Sequence, residues 1–280
     1  MVNLFLRGEP LMVEGRPAEI RAVLFDKDGT MSRSEPKLLA LATSRLRHSL
    51  SLVEGRKHLQ LEELLRRVYG LHGGGHDGQG GHSLDPAGIT AVAARDHNLI
   101  STAVAFTLVG FGWPESLHLA HQAFALADRD HPPVTQTADT TEGLNDFLRA
   151  LERCSVHCAV ISNDDLPGIQ HFLDSHGLAP QISAIWSADD QPRKPDPRAI
   201  QQLCARMGVS PEHCALIGDA NSDLSMARAA GLPVMLGYRG GWQRPVELED
   251  VYPLFDHWRE LAVVPDQGVS TETRGVAIKT

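Results

Sequence analysis

Asp26 and Asp28 end the apolar run Val23-Leu24-Phe25 and lead straight into Gly29 and Thr30. Two carboxylates at i and i+2 on the tip of a strand point to the same side. One of them can attack a phosphorus atom, giving an aspartyl-phosphate that water then hydrolyses, while the other handles the proton. A plain turn after a strand would use the same residue types.

Three more polar clusters follow. Ser162 and Asn163 close the apolar stretch Val160-Ile161. A serine there can hydrogen-bond a phosphoryl oxygen or cap the next helix. Lys194 sits in Arg193-Lys194-Pro195-Asp196-Pro197, pinned at a loop-to-helix junction. A point charge fixed there can neutralise a nucleophilic carboxylate and a bound phosphate; a solvated surface lysine is the plainer alternative. Leu216-Ile217-Gly218 runs into Asp219, with Asp223 four residues on. If a helix starts near Asn221, both acids can face one point and hold a hard cation such as magnesium, or they can simply cap that helix. Taken singly, each cluster has a structural explanation. Taken together, all lie at the C-terminal ends of expected strands in one sheet, the edge where sites are built.

The elements that must position them follow from periodicity. Strands are expected over about 20–25, 156–161, 182–186, 215–217 and 233–236. Helices alternate with them over about 167–176, 197–207 and 224–230, and Leu144, Phe147, Leu148 and Leu151 make a further helical stripe at i, i+3, i+4 and i+7. Alternation of this kind gives βαβ units and an α/β fold with a doubly wound parallel sheet. Between the first strand and the rest, residues from about 35 to 131 are helical in character, with helices expected over about 86–108 and 114–128. The expected organisation is a core of residues 1–33 and 134–260, a helical module of residues 34–133 over the sheet's carboxyl edge, and a flexible tail at 261–280. Residues 1–19, broken by Gly8, Pro10, Gly15 and Pro17, are expected to carry little structure.

The 280 residues are 42% hydrophobic and 22% charged, enough to bury a sizeable core. A net charge of -9 argues against nucleic acid as a partner, since there is no basic excess to neutralise a phosphate backbone. No run approaches the ~18 apolar residues of a membrane span, and the N-terminus lacks a basic, apolar signal segment, so a cytoplasmic protein is expected. Cys154, Cys158, Cys204 and Cys214 form no C-x-x-C pair and read as structural thiols.

As a set, the four clusters resemble the four motifs of the haloacid dehalogenase superfamily of phosphohydrolases, in order, over roughly residues 20–240. The resemblance implies a Rossmann-like core with an inserted α-helical cap that covers the site. It implies Asp26 as nucleophile and Asp28 as general acid/base. Ser162, Asn163 and Thr30 would serve the substrate phosphate, with Lys194 offsetting charge on Asp26 and the phosphate. Mg2+ would be held by the Asp26 carboxylate, the Asp28 main-chain carbonyl, Asp219 and Asp223. Family members that cleave carbon–halogen bonds lack the second aspartate, so Asp28 points to phosphate chemistry. The phosphoglycolate-phosphatase-like branch is the nearest in arrangement, with a sugar- or nucleotide-phosphate phosphatase close behind. A phosphomutase would use the same residues, and a non-catalytic binding protein would have lost one of them. The expected partner is a small phosphorylated metabolite, with no membrane, acting on a monomer or homodimer.

Within the helical module, His72, His76, Asp77 and His82 fall in a glycine-rich stretch that suits a flexible loop better than a metal site. Trp113 and Trp186 are expected to pack rather than bind, and Arg33 is expected at the surface.

Overall fold

The computed structural model describes residues 1–73, 82–130 and 137–266. Chain order begins with four short strands, β1 (Val2–Leu6), β2 (Glu9–Pro10), β3 (Met12–Val13) and β4 (Arg16–Pro17), before β5 (Ala22–Phe25). A helical block follows: α1 (Glu35–Ser51), α2 (Arg56–Val68), the small hairpin strands β6 (Leu71–His72) and β7 (Ser83–Leu84), α3 (Ile89–Val92), α4 (Arg95–Leu108) and α5 (Trp113–Asp130). The chain then alternates through α6 (Leu144–Arg153), β8 (His157–Ile161), α7 (Leu166–Ser175), β9 (Ile182–Trp186), α8 (Pro197–Met207), β10 (Cys214–Gly218), α9 (Asn221–Ala229) and β11 (Val234–Tyr238). It closes with β12 (Leu254–Phe255) and β13 (Leu261–Pro265).

Six strands make one sheet in the order β12-β11-β10-β5-β8-β9, with every pairing parallel. Successive side chains point to opposite faces, which explains why its central strands are apolar where helices cover both faces. Val23 and Phe25 of β5, Val160 of β8 and Ile217 of β10 face a layer that packs on Leu144, Phe147 and Leu151 of α6 and Ile169 and Phe172 of α7. Ala22 and Leu24, Ile161 and Leu216 face the other way, onto Ile200 and Leu203 of α8 and Leu224 of α9. Both faces are covered, so β5, β10 and β8 beyond its exposed first residue, His157, carry no polar side chain until they end. The helical block has its own core, in which Leu46, Leu61, Leu65, Phe106 and Phe124 are buried together.

The two ends of the chain depart from expectation. β1 pairs antiparallel with β13, from Val2 opposite Pro265 to Leu6 opposite Leu261, and Val2 and Leu4 are buried in the first layer. Residues 1–19 are therefore structured, and the tail taken to be flexible from residue 261 begins with a strand; residues 267–280 lie outside the described residues. Each strand has only five residues and its partner lies at the opposite end of the chain, so neither carries a strong local signal. Trp258, just before β13, stacks on Tyr238 and Phe147 with ring centroids 5.0 and 5.4 Å away, which anchors this closing segment.

The expected helix over about 86–108 is two helices, broken where Ala93 is extended. The Asn98 amide stabilises the break by donating to the carbonyls of Ile89, Ala93 and Ala94. The break turns Val92 to Asp96 toward the sheet edge.

Candidate active site

Phe25 is in register with Ile217 on one side and Val160 on the other, so β5, β8 and β10 end side by side. The residues that follow each strand, still buried but now polar, are Asp26, Ser162 and Asp219. Lys194 reaches the same point from the loop before α8. Its Nζ donates to Asp26 Oδ1 at 2.6 Å and to the Ile161 carbonyl at 3.3 Å, and pairs with Asp223 Oδ1 at 2.8 Å. Asp26, Asp219 and Asp223 each present a carboxylate oxygen, all within 4.8 Å of one another, and all three are buried.

Asp219 is fixed from both sides. Thr30 Oγ1 donates to its Oδ1 at 2.7 Å and Trp242 Nε1 to its Oδ2 at 2.6 Å. Thr30, expected at the substrate phosphate, is fully buried and donates its hydroxyl to this carboxylate. The turn between Asp28 and Thr30 needs glycine. Gly29 has φ +82°, and a Cβ there would lie 2.1 Å from Trp242 Nε1. Gly241 is just as constrained, because a Cβ would lie 1.8 Å from the Gly29 carbonyl oxygen.

The Asp28 carboxylate lines the cavity but stands apart from the acidic trio. Lys27 Nζ holds its Oδ1 at 2.6 Å and Asp164 Oδ2 at 3.0 Å, and the Ser34 hydroxyl donates to the same Asp28 oxygen. Ser162 is 3% exposed and its Oγ accepts from Asp164 N at 3.1 Å; among the described residues its own proton has no acceptor, and it lines the cavity. Asn163 also lines the cavity, yet its amide donates to the Val92 carbonyl at 2.9 Å, so it ties the core to the helical block. A second tie joins Arg193 to Asp96 at 2.6 Å.

The charges sort into two groups. Around Asp26, burial pushes the carboxyl well above its ordinary value, and Asp223 and Asp219 push the same way against the pull of Lys194. Burial and Asp223 likewise raise Asp219 to about 6, opposed by Thr30 and Trp242. Burial works against the Lys194 ammonium, but Asp223 and Asp26 more than offset it and hold its pKa above the ordinary value. Around Asp28 the balance is reversed. Burial alone would raise this carboxyl, but Lys27 and Ser34 outweigh it and hold it below the usual range.

Three buried carboxylates face a single ammonium, so this half of the site is short of positive charge. Its donors are all oxygen and lie close enough to share one ion, which fits a hard divalent cation such as Mg2+. Above the acids is a cavity of about 430 Å3, walled below by Asp26, Asp28 and Ser162 and above by Lys37 and Arg45 of α1 and by Asn98 of α4.

Sequence reading missed Trp242, Ser34, Asp164 and Arg45. The Gly240-Gly241-Trp242 triplet after β11 lies at the same sheet edge as the other clusters and was the available signal. Trp186 packs as expected, 1% exposed with its Nε1 donating to the Pro192 carbonyl. Trp113 does not, being 46% exposed at the start of α5. Arg33 is exposed as expected. The glycine-rich stretch holding His76 and Asp77 lies outside the described residues.

A family model for haloacid dehalogenase-like hydrolases matches residues 20–231. Among curated relatives, a phosphoglycolate phosphatase of Thiobacillus denitrificans is 30% identical over 247 residues, covering 85% of this chain and 93% of the relative. Phosphoglycolate phosphatase 1 of Pseudomonas aeruginosa is 28% identical, covering 93% of this chain and 84% of its own length. Among solved structures, a predicted phosphoglycolate phosphatase from Haemophilus somnus superposes with a TM-score of 0.59 at 17% identity, covering 85% of this chain and 94% of that one. A β-phosphoglucomutase homologue from Thermotoga maritima gives 0.53 at 15% identity over 85% and 94%. The last two establish the shared fold alone.

Proposed function

Because the chain belongs to the haloacid dehalogenase-like hydrolases, we propose that it is a magnesium-dependent phosphatase acting on a small phosphomonoester through an aspartyl-phosphate on Asp26. The observation that carries this reading is the contact of Lys194 Nζ with Asp26 Oδ1 at 2.6 Å beside the acidic trio. It gives the nucleophile a fixed positive neighbour that opposes the burial and the two acids pushing its carboxyl upward.

In this reading the Asp26 carboxylate attacks phosphorus and the bond to the leaving oxygen breaks. Asp28 protonates that oxygen, then takes a proton from the water that cleaves the acyl phosphate. Asp28 rests ionised against Lys27 and Ser34, so it must take up a proton and turn away from Lys27 before it can act as an acid. Acid/base help of this kind contributes roughly 10²–10⁴-fold. Ser162 donates its free proton to a phosphoryl oxygen, and Lys194 opposes the charge spread over the transferring group. Asp26, Asp219, Asp223 and the Asp28 main-chain carbonyl would hold Mg2+, which when bound supplies Lewis-acid polarisation of the phosphoryl oxygens.

Helices α1 to α5 serve as the cap in this reading, and residues 34–133 as its bounds. A lid over the sheet edge excludes water from the charged site. The relatives' names supply the first substrate to test, 2-phosphoglycolate. The experiment is a magnesium-dependent screen of phosphate release over small esters, with Asp26→Asn as the blank. Turnover in the wild type, lost in chelator and in the variant, is the expected result. Asp26→Asn activity near the wild-type level would overturn the assignment of the nucleophile. Transfer of phosphate to a sugar rather than to water would identify a mutase.

A further inference from the structure

Arg45 lies in the middle of α1, is 5% exposed, and lines the same cavity as Asp26. Its guanidinium lies over the Phe124 ring, 4.2 Å from the centroid, which fixes the plane of the fork. Its Nε is buried without an acceptor. Among the described residues it has no carboxylate partner: the groups that favour its charge are Tyr69 and then Asp128, and Asp128 is paired with Arg95 at 2.5 Å. Burial lowers its pKa to about 10, which leaves it protonated at neutral pH.

A buried guanidinium without a partner is costly to a fold, and the cost is removed when a ligand brings the missing acceptor. The five N–H donors of arginine match the paired oxygens of a carboxylate or phosphate. The catalytic end of the cavity already accounts for one phosphoryl group through Lys194 and Ser162. Lys37 adds a further cation to the cap wall. Asp96, the other acid on that wall, is engaged by Arg193.

We propose that Arg45 anchors a second oxyanion of the substrate, a carboxylate or a phosphate remote from the bond that is cleaved. The substrate class is then a phosphomonoester carrying a second acidic group, rather than the phosphate of a neutral alcohol. This rests on the phosphatase reading of the Asp26 site. A site built around a charged group discriminates strongly against the analogue that lacks it, since its own donor is then left unpaired.

The test is a pair of specificity ratios in kcat/KM. One compares 2-phosphoglycolate with 2-hydroxyethyl phosphate, the other glucose 1,6-bisphosphate with glucose 6-phosphate. The first ratio reports a carboxylate and the second a phosphate. In the wild type one of them exceeds about tenfold. Arg45→Met brings it close to one, mainly through KM, and Arg45→Lys recovers part of it. Each ratio is taken on a single protein, so partial loss of folding cancels; if Arg45→Met does not fold, Arg45→Lys carries the same comparison. Wild-type ratios near one, or a ratio that Arg45→Met leaves unchanged, overturn the proposal. A second arm measures calorimetric binding of 2-phosphoglycolate and glucose 1,6-bisphosphate to Asp26→Asn, with and without Arg45→Met. Binding that depends on Arg45 in a protein whose wild type releases no phosphate refutes the phosphatase reading alone. Hydrolysis and binding that ignore Arg45 refute the anchor alone.

Discussion

Lys194 Nζ lies 2.6 Å from Asp26 Oδ1, across 168 residues of chain, and the same nitrogen is 2.8 Å from Asp223. One ammonium thus serves both the proposed nucleophile and an acid of the proposed metal set. A lysine with this geometry has two effects: it pulls against the burial that favours protonated Asp26, and it holds two repelling carboxylates together.

Lys194→Met separates these effects. Loss of one fixed donor to a charged transition state costs about 10²–10³ in kcat. Breaking a buried ion pair by removing one partner destabilises by about 3–5 kcal/mol. We expect both losses, read by phosphate release at saturating magnesium and by the urea midpoint. A variant with unchanged kcat would remove Lys194 from the mechanism, whatever happened to stability.

Trp242 holds Asp219, whose Oδ2 accepts from its indole nitrogen at 2.6 Å. Groups that orient a metal-binding carboxylate are typically worth 10–100-fold in metal affinity or activity. Trp242→Phe keeps the ring and deletes the donor. It should weaken magnesium activation by about that factor, with turnover recovering when magnesium is raised. Turnover that magnesium cannot restore would mean that Trp242 touches the substrate directly.

Legibility in the sequence followed the range of the interactions. Val23-Leu24-Phe25, Val160-Ile161 and Leu216-Ile217 are apolar because helices cover both faces of the sheet, so the strands announce themselves and the acid, serine or second acid after each marks the edge. The stripe Leu144, Phe147, Leu148 and Leu151 was equally plain, since all four pack into one layer. The bond from Thr30 to Asp219 was not legible, because a hydroxyl two residues past Asp28 gives no sign of which group it meets. The pairing of Val2–Leu6 with Leu261–Pro265 was invisible because each strand alone is short and ordinary. Arg45 reads as one more charge on a helix. Only the packing of Phe124 beneath it, and an Nε that finds no acceptor among the described residues, give it meaning.

The crowding of Asp26, Asp219 and Asp223 makes stability depend on pH and on metal together. Burial, then Asp223, raises the Asp219 carboxyl to about 6 from an ordinary 3.8, and Asp26 is raised as well. A raised carboxyl makes the folded state bind protons that the unfolded chain has already released. Stability from these groups is therefore full below about pH 4 and declines as pH rises through about 6. In chelator, the melting temperature should fall between pH 5 and pH 7, and Asp219→Asn should flatten that fall. A divalent ion reverses the sign by competing with protons for the same oxygens, so magnesium should bind more tightly as pH rises. At a hundred times its dissociation constant it should add about 2.7 kcal/mol at pH 7. Thermal melts at pH 5, 6 and 7 with and without magnesium test both halves. If magnesium adds nothing at pH 7, the three acids do not form a cation site, and their crowding needs another cause.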